Sequence, residues 1–523
     1  MRIVSALAAI AFVAVLLQLR GPGITIDESL NVRPGVVILR AEQTYGLLAL
    51  DPRSQRDIFT AGILPTDYPP LGRVWLGLGH ELARFVAGSD RLDATGIDVT
   101  LARTASAAAF ALTILLVGRF GRRFAGEVGG VAAAIAVALS PRLFGHAHLA
   151  SVETVLDLSF AGCVLVAAER LAEKPSDRIA ALVGFLWGLV LLTKIQAVLV
   201  PIPLAGWMLW HHRVAAIRPL AIVAAVGLLT FLVGWPWLWD APIAKTLAYF
   251  GQGTDRITLF AWYFGEAIPD RAVPWHYPLV QFALTQPPLF LTIGCYGLWQ
   301  GRTSRPLRLV AATWAFVLLF FAVPGIVVYD GPRLMLVAYP LWAILVGAGA
   351  SALWARWATH DRLRKAIAAV AVLMPLGHLI ALSPCWLSYY AIGTGPAAAI
   401  GMERTYWGDS LTPDLLAEVA DAAGPGGVIL VAPSLHPAQH TEQDHHVPGG
   451  VTTQPYDPNS DARTLLVFTR LGLDPLRDGE PDPVVAIIRR LIGASEGDTV
   501  DGWTVRRVLR REGATLAVLA VRE

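Results

Sequence analysis

The sequence predicts a polytopic membrane protein, with an all-α bundle of about eleven transmembrane helices followed by a small α/β domain outside the bilayer. Three observations lead to this fold class. Of the 523 residues, 55% are hydrophobic and only 16% are charged, and the mean hydropathy is +0.53, which is too apolar for a water-soluble globule. The apolar residues form runs long enough to cross about 30 Å of hydrocarbon. Beyond Leu382 the hydropathy drops, and short strand and helix patterns follow.

Each long apolar run is expected to be a helix, because the bilayer core offers the backbone no water as a hydrogen-bond partner. The runs lie at 3–19, 99–117, 126–140, 152–169, 179–193, 195–210, 219–238, 277–299, 309–328, 334–353 and 366–383. The first run could be a secretory signal, but it is about 17 residues long and has no clear small-residue cleavage site before Arg20. We therefore expect it to remain as the first span.

Positive charges mark one side of the predicted bundle. The short loops that share a side with the N-terminus carry Arg119, Arg122, Arg123, Lys174, Arg178, Arg213, Arg218, Arg302, Arg305, Arg308, Arg356, Arg362, Arg364 and Lys365. The positive-inside rule makes these loops cytoplasmic, and an odd number of spans puts the C-terminus outside. The sequence thus predicts a multi-pass protein of the inner or plasma membrane.

Two domains are expected. Residues 1–383 form the transmembrane domain, with a long external loop at 20–98, and residues 384–523 form an extracytoplasmic α/β domain. The pattern "DLLAEVADAAGPGGVILVAP" reads as helix, turn and strand, and "ARTLLVFTRLGL", "PVVAIIRRLIG" and "TLAVLAVRE" as strand, helix and strand. The net charge of +2 and the lack of a long basic run argue against a nucleic-acid partner. The three cysteines are too scattered for a disulfide framework or a structural zinc site.

Two adjacent carboxylates, Asp27 and Glu28, follow the first span directly in "GPGITIDESLN". One interpretation is structural: "TIDESL" starts a helix and places acidic residues at its positive end. The other is catalytic, and the two are compatible, because a helix cap also fixes the position of a base. In the same loop, Pro69 and Pro70 force an extended segment and place Asp67 and Tyr68 just before the next helix.

This order of motifs resembles the GT-C fold glycosyltransferases, in particular their protein O-mannosyltransferase-like branch. The resemblance rests on the Asp-Glu pair, the Asp-Tyr-Pro-Pro-Leu-Gly turn, and then, in order, "LSPRLFGHAHLASVE", "LLTKIQ", "WPWLW", "PWHYPLVQFALTQPP", "YDGPRLMLVAYP" and "WLSYYAIGTGPAAAIGMERTYWGDS". It covers most of residues 1–411.

The resemblance implies an inverting transfer on the outer membrane face, in which an acceptor hydroxyl attacks a sugar held on a polyprenyl phosphate. A hydroxyl is a poor nucleophile until a positioned carboxylate takes its proton. Asp27 is the candidate base, and Glu28 is expected to orient it, contact the acceptor or bind a metal. Asp67 and Tyr68 are candidate substrate contacts, with a turn or cap role as the alternative for Asp67. The acceptor itself, whether glycan, lipid or protein, is not readable from the sequence.

The stretch "HAHLASVETVLD" holds a second group of candidates. A helix through it would stack His146 on Glu153, and Glu153 on Asp157. His146 or His148 with a carboxylate such as Glu153 forms a candidate divalent-metal site near the donor phosphate, and histidines in ordinary hydrogen bonds are the alternative. The family pattern usually has Asp where this chain has Glu153.

A lipid-phosphate leaving group calls for a cation at the outer surface. The candidates are Arg333 in "YDGPRL", Lys194 in "LLTKIQ" and His276 in "PWHYP". The alternative for these residues is anchoring at the lipid headgroups. For "TYWGDS" the expected role is packing of the external domain onto the bundle.

Two other function classes are alternatives to this reaction. A transporter or flippase of lipid-linked sugars is the alternative function, although the predicted spans are clean and no internal repeat is visible. An oligosaccharyltransferase of the same broad fold is a third option, but the external domain lacks a Trp-Trp-Asp motif.

Overall fold

The computed structural model describes residues 1–60, 68–251, 257–477 and 479–522. Up to about residue 400 the described chain is mostly helical, and a mixed sheet follows. The helices of the first half are α1 (Arg2–Leu16), α2 (Ile26–Tyr45), α3 (Pro52–Thr60), α4 (Pro70–Ala87), α5 (Arg103–Ala138), α6 (Pro141–Ala147), α7 (Val152–Val166), α8 (Asp177–Leu191), α9 (Pro201–His212) and α10 (Ile217–Gly234). They are followed by α11 (Pro242–Gly251), α12 (Tyr277–Leu284), α13 (Pro288–Gly301), α14 (Arg305–Phe321), α15 (Ala338–Arg356), α16 (Asp361–Leu382) and α17 (Thr394–Ala399).

By length and hydropathy, four helical segments of the described chain could each cross a bilayer: Val99–Ala138, Ile195–Gly234, Ala338–Arg356 and Asp361–Leu382. The opening helix α1 is apolar and shorter. The figure of about eleven spans stays a prediction.

One predicted span is interrupted, and two others lie within one long helix. Helix α5 holds most of the predicted spans 99–117 and 126–140; it breaks between them, at Ala125 and Gly126, and folds back on itself so that Gly118 approaches Ala134. The predicted span 277–299 is not one helix, because α12 ends at Leu284 and α13 begins at Pro288. Consecutive prolines at 287 and 288 explain this break, since proline donates no backbone hydrogen bond and its ring excludes the preceding turn.

Small residues let the central helices pack closely. Helix α15 packs against both α5 and α13. A Cβ on Gly297 of α13 would lie 1.8 Å from the Leu345 carbonyl oxygen, and one on Gly349 would lie 2.0 Å from that of Ile293. Such contacts replace the hydrophobic effect as the source of helix association in a bilayer.

The C-terminal part is a layered α/β structure. Its helices are α18 (Pro413–Ala423), α19 (Pro437–Asp444) and α20 (Pro483–Leu491). Its strands are β3 (Val428–Ala432), β4 (Thr452–Pro455), β5 (Thr464–Phe468), β6 (Leu476–Arg477), β7 (Glu480–Pro481), β8 (Thr499–Val500), β9 (Trp503–Arg511) and β10 (Ala514–Val521). Two earlier strands, β1 (Phe260–Tyr263) and β2 (Glu266–Pro269), form a separate hairpin between α11 and α12.

The six-stranded sheet has the order β4-β3-β5-β10-β9-β8. Strand β3 is parallel to β4 and β5, while β10 is antiparallel to β5 and β9. One face of the sheet packs on α18 and the other on α20. The helix–strand pattern read from "DLLAEVADAAGPGGVILVAP" and the strands β5 and β10 match the structure, whereas β9, with its several arginines, was not predicted.

The sheet and the bundle are joined by direct hydrogen bonds. Glu512, in the turn between β9 and β10, accepts from the Thr394 backbone and contacts His378 of α16 at 2.7 Å. Arg511 donates to the Ser383 carbonyl oxygen at 3.0 Å. Gln439 of α19 donates to Ile24 and Arg470 to Asp330. The C-terminal part therefore lies at the same end of the bundle as residues 20–60, 68–98, 140–151 and 324–333, which we call the loop end.

Candidate active site

Asp27 lies in the first turn of α2. Thr25 is the N-cap, and Thr25 and Glu28 form a capping box in which each side chain meets the backbone of the other. The structural interpretation of the Asp-Glu pair is therefore correct. Asp27, one of the two residues between them, takes no part in the cap.

Glu28 and Arg103 form a buried ion pair beside Asp27. Both side chains are fully buried, and Arg103 Nε donates to Glu28 Oε1 at 2.6 Å. Glu28 also accepts from the Ala150 backbone at 2.8 Å, and Arg103 donates to the carbonyl oxygens of Leu19, Pro22 and Gly23. The expectation that Glu28 itself contacts the acceptor or a metal does not fit this geometry, because its oxygens are occupied and out of contact with solvent. Glu28 instead fixes the start of α2.

The Asp27 carboxylate binds two partners from distant parts of the chain. Its Oδ1 accepts from Arg333 Nη2 at 2.6 Å, and its Oδ2 accepts from the Tyr406 hydroxyl. The Asp27 side chain stays 17% exposed, so it remains reachable. Burial raises the pKa of Tyr406 well above its ordinary value, so the phenol stays protonated and donates.

Arg333 connects three carboxylates. Besides Asp27, its Nε donates to Glu153 Oε1 at 2.7 Å and its Nη1 to Asp330 Oδ2 at 3.1 Å. Glu153 is buried at the start of α7, where Ser151 caps the helix, and it also accepts from Lys194 Nζ at 2.6 Å. The structure thus brings Asp27, Glu153, Lys194 and Arg333 into one network.

A small cavity adjoins this network at the loop end. It is lined by Arg142, His146, Asp330, Gly331, Pro332, Arg333, Leu387, Tyr390, Glu403, Thr405, Tyr406 and Arg470. Three of these residues are arginines, and Arg470 comes from the C-terminal sheet. Burial lowers the pKa of His146 to about 4, so its ring is neutral at neutral pH.

The turn that carries Tyr406 is joined to the start of α2. Gly23 N donates to the Asp409 carbonyl oxygen at 2.9 Å. Gln439 of α19 donates to the carbonyl oxygens of Ile24 and Trp407, at 2.8 and 3.2 Å. The "TYWGDS" segment therefore packs the C-terminal part onto the bundle, as expected, and its tyrosine also reaches Asp27.

The other predicted site residues lie in different places. Asp67 lies outside the described residues. Tyr68 sits beneath Arg73, whose guanidinium is 4.6 Å from the ring centre, and burial raises the Tyr68 pKa while the nearby Lys194 charge lowers it. His276 contacts the Tyr263 hydroxyl at 2.8 Å and does not line the cavity.

His146 and Glu153 do not share a helix face as expected. Helix α6 ends at Ala147, and α7 begins at Val152 after the Ser151 cap, so a turn separates the two residues. His146 instead meets the Tyr406 ring edge-on at 5.9 Å. His148 Nδ1 donates to the Phe144 carbonyl oxygen at 2.8 Å, and the centre of its ring lies 3.9 Å from that of Trp386.

A metal at His146, His148 and Glu153 does not fit these contacts. Within the described ranges, no group of three or more His, Cys, Asp or Glu side chains is placed to hold a metal ion. Glu153 is already paired with two cations, Lys194 and Arg333, which would repel a divalent ion. Metal dependence stays a prediction.

Four residues of the site were not singled out from the sequence. Arg142, Asp330 and Arg470 line the cavity, and Trp407 donates to Asp330 Oδ1 at 3.1 Å. The signal for Arg142 was an arginine inside the apolar loop "SPRLFGHAHLASVE", away from the basic loops predicted to be cytoplasmic. Arg470 carried no signal, because it follows a strand and reads as an ordinary surface residue.

The comparisons with known proteins agree with this architecture. The family model described as dolichyl-phosphate-mannose-protein mannosyltransferase matches residues 95–239, which include Arg103, Glu153 and Lys194. Comparison with curated protein sequences gives no match.

Solved structures match nearly the whole chain. The structure of ArnT from Cupriavidus metallidurans in the apo state has 15% sequence identity and a TM-score of 0.52, covering 98% of this chain and 97% of that chain. ArnT from the same organism bound to undecaprenyl phosphate has 14% identity and a TM-score of 0.53, with the same coverage. The archaeal oligosaccharyltransferase AglB from Archaeoglobus fulgidus, in complex with an inhibitory peptide and a dolichol-phosphate, has 15% identity and a TM-score of 0.44, covering 87% of this chain and 61% of that chain.

The resemblance drawn from the sequence motifs is confirmed: the chain has the GT-C glycosyltransferase fold, and through residues 95–239 it matches the mannosyltransferase family.

Proposed function

We propose that the protein is an integral-membrane glycosyltransferase that moves a sugar from a polyprenyl-phosphate donor to an acceptor hydroxyl on the extracytoplasmic face, with inversion. The observation that carries the proposal is the reachable Asp27 carboxylate, held by Arg333 and Tyr406 at the edge of an arginine-lined cavity. The GT-C fold and the partial family match support the same reaction class.

Asp27 acts as the general base in this proposal. The acceptor oxygen attacks the anomeric carbon, the bond from that carbon to the phosphate oxygen breaks, and the electron pair leaves with the phosphate. The acceptor proton passes to Asp27. A carboxylate has about four lone-pair sites, so the two hydrogen bonds to Arg333 and Tyr406 leave room for a hydroxyl proton.

The neighbouring residues hold the base in place. Tyr406 and Arg333 fix both Asp27 oxygens, and Glu28 with Arg103 fixes the helix start that carries it. Such positioning lowers the barrier because the reacting groups meet in one geometry. Arg333 is the residue that links the base to Glu153 and Lys194.

The test is sugar transfer by the purified full-length protein in nanodiscs, with a labelled polyprenyl-phosphate sugar and a panel of acceptor alcohols. Asp27→Asn keeps the shape of the side chain and removes the base, so transfer is expected to fall by roughly 10²–10⁴-fold. Asp90→Asn, an exposed carboxylate of the same loop, is the matched control and is expected to keep full activity. Wild-type turnover in Asp27→Asn would refute the base assignment.

The stereochemical outcome and the competing transport function are checked separately. Nuclear magnetic resonance of the product is expected to show the anomeric configuration opposite to that of the donor. A flippase would move the lipid-linked sugar across proteoliposomes without any covalent transfer, and that result would overturn the proposal.

A further inference from the structure

Three buried nitrogen atoms of the cavity lack a hydrogen-bond partner among the described residues: Arg142 Nε, Arg470 Nε and His146 Nδ1. These residues are 8%, 2% and 4% exposed. All three line the same cavity at the loop end. Buried polar groups in folded proteins are nearly always satisfied, so three such atoms around one space indicate a polar or charged occupant of the cavity.

Arg142 also lacks a counter-charge. Its two terminal nitrogens donate to the carbonyl oxygens of Leu387 and Tyr389, and its guanidinium lies 5.0 Å from the centre of the Tyr390 ring. In the part of the chain that the structure describes, no carboxylate lies within 4 Å of it. A buried cation without a partner is costly, and a bound anion would remove that cost.

The cations favoured by sequence reasoning are already neutralised. Arg333 is paired with three carboxylates, and Lys194 with Glu153. Arg470 is paired as well, because it binds Asp330 through Nη2 and its Nε lies 3.8 Å from Glu403, but that Nε donates no hydrogen bond to the described residues. The available positive charge of the cavity therefore comes from Arg142, and Arg470 adds an unfilled donor.

The position of the cavity relates it to the base. Arg333 and Tyr406 line it on one side, and both contact Asp27. An anion in the cavity would thus lie across these two side chains from Asp27. A leaving phosphate and an attacking hydroxyl need this kind of separation, because they occupy opposite sides of the anomeric carbon in an inverting transfer.

We infer that Arg142, Arg470 and His146 form the subsite that binds the phosphate group of the polyprenyl-phosphate donor. This inference rests on the proposed function. The donor phosphodiester carries one negative charge, and the departing phosphate gains a second when the anomeric bond breaks. Two guanidinium groups stabilise that developing charge, and the neutral imidazole donates or accepts one hydrogen bond. Arg470 makes the C-terminal sheet part of the substrate site.

The inference is tested by binding, apart from turnover. Undecaprenyl phosphate is titrated into the full-length protein in nanodiscs, and the dissociation constant is measured by native mass spectrometry. Arg142→Gln and Arg470→Gln are each expected to weaken binding at least tenfold. Arg511→Gln is the matched control, because Arg511 also donates to a backbone carbonyl but lies outside the cavity, and its binding is expected to equal that of the wild type.

Two further ligands show which chemical group the subsite recognises. Undecaprenol, which lacks the phosphate, is expected to bind the wild type and both variants equally. Inorganic phosphate is expected to compete only at concentrations at least a hundredfold higher. Equal potency of inorganic phosphate and the lipid would overturn the assignment to the lipid-linked group.

Folding defects are separated from loss of the subsite. Arg470 also holds Asp330, so Arg142→Lys is added as a variant that keeps the charge; it is expected to retain more affinity than Arg142→Gln at an unchanged melting temperature. Wild-type binding by Arg142→Gln and Arg470→Gln, with transfer still dependent on Asp27, would sink the subsite and leave the proposed function standing. Arginine-dependent binding without any sugar transfer would support the subsite and contradict the proposed function.

Discussion

The Tyr406 hydroxyl donates a hydrogen bond to Oδ2 of Asp27, although 379 positions separate the two residues in the chain. Tyr406 lies beyond the last predicted span, and Asp27 directly after the first. The phenol and Arg333 together hold both oxygens of the carboxylate. The orientation of the proposed base is thus set by Arg333, within the membrane domain, and by Tyr406, beyond its last predicted span.

Replacing Tyr406 with Phe should slow transfer while leaving donor binding intact. The variant loses one hydrogen bond to the carboxylate, so we expect kcat to fall by roughly ten- to a hundredfold. The Kd for undecaprenyl phosphate should stay within about twofold of that of the wild type. Tyr456→Phe, in the C-terminal part away from the cavity, is the control. Wild-type kcat in Tyr406→Phe would show that the phenol does not act on Asp27.

Breaking the Glu28–Arg103 pair should destabilise the protein. Glu28→Gln leaves the buried Arg103 guanidinium without its counter-charge, and we expect a loss of about 3–5 kcal/mol in the free energy of unfolding. The double variant Glu28→Gln, Arg103→Met should recover part of that loss, because it removes the unpaired charge as well. Thermal unfolding in detergent measures both. Equal melting temperatures for Glu28→Gln and the wild type would contradict the structural role of the pair.

The contact between Gly408 and Ile24 should tolerate no side chain. Gly408 has φ +94°, and a Cβ there would lie 2.6 Å from the Ile24 carbonyl oxygen and from Gln439 Nε2. Gly408→Ala is expected to lower both stability and transfer. Gly424→Ala separates the causes, since its φ is +74° but nothing lies within 4 Å of the added carbon. It should show only the backbone cost of about 1–2 kcal/mol, without loss of turnover per folded molecule.

Asp409 should make stability depend on pH. Burial raises the pKa of this carboxyl from 3.8 to about 7, while its Oδ1 accepts from the Tyr406 backbone. Because the folded state holds the proton more tightly, the Asp409 contribution is complete below about pH 4 and is lost as the pH rises through 7.

The matched variant isolates this effect. Asp409→Asn keeps an acceptor for the Tyr406 backbone and cannot ionise, so its stability relative to the wild type should rise between pH 5 and pH 8, by up to about 3 kcal/mol at roughly 1.4 kcal/mol per pKa unit. Asp414→Asn, an exposed position on α18, should show no such trend. If the difference in melting temperature between Asp409→Asn and the wild type were the same at pH 5 and at pH 8, the result would contradict a raised pKa for the buried Asp409 carboxyl.

The fold class was predictable because hydropathy acts over short stretches of sequence. The apolar runs, the break in hydropathy near Leu382 and the helix–strand pattern of α18 and β3 are local signals. The split between α12 and α13 was also local, in the Pro-Pro step at 287 and 288, but the apolar composition on both sides concealed it.

The site was predictable only where a residue carried a local anomaly. Adjacent carboxylates after a span marked Asp27, and a basic residue outside the loops predicted to be cytoplasmic marked Lys194 and Arg333. Arg470 follows a strand and carries no such anomaly, and its pairing with Asp330 spans 140 positions. The stacking of His146 on Glu153 failed because the Ser151 cap, rather than the spacing, decided where α7 begins.

The arrangement of Tyr406 and Arg470 has a consequence for biosynthesis. Both lie after every predicted span, so a nascent chain that ends at the last predicted span still lacks one partner of Asp27 and one wall of the cavity. The site is therefore complete only after the last strands have folded and docked onto the bundle. Under the proposed function, a protein truncated near residue 383 would hold Asp27 and Arg333 but would not transfer sugar.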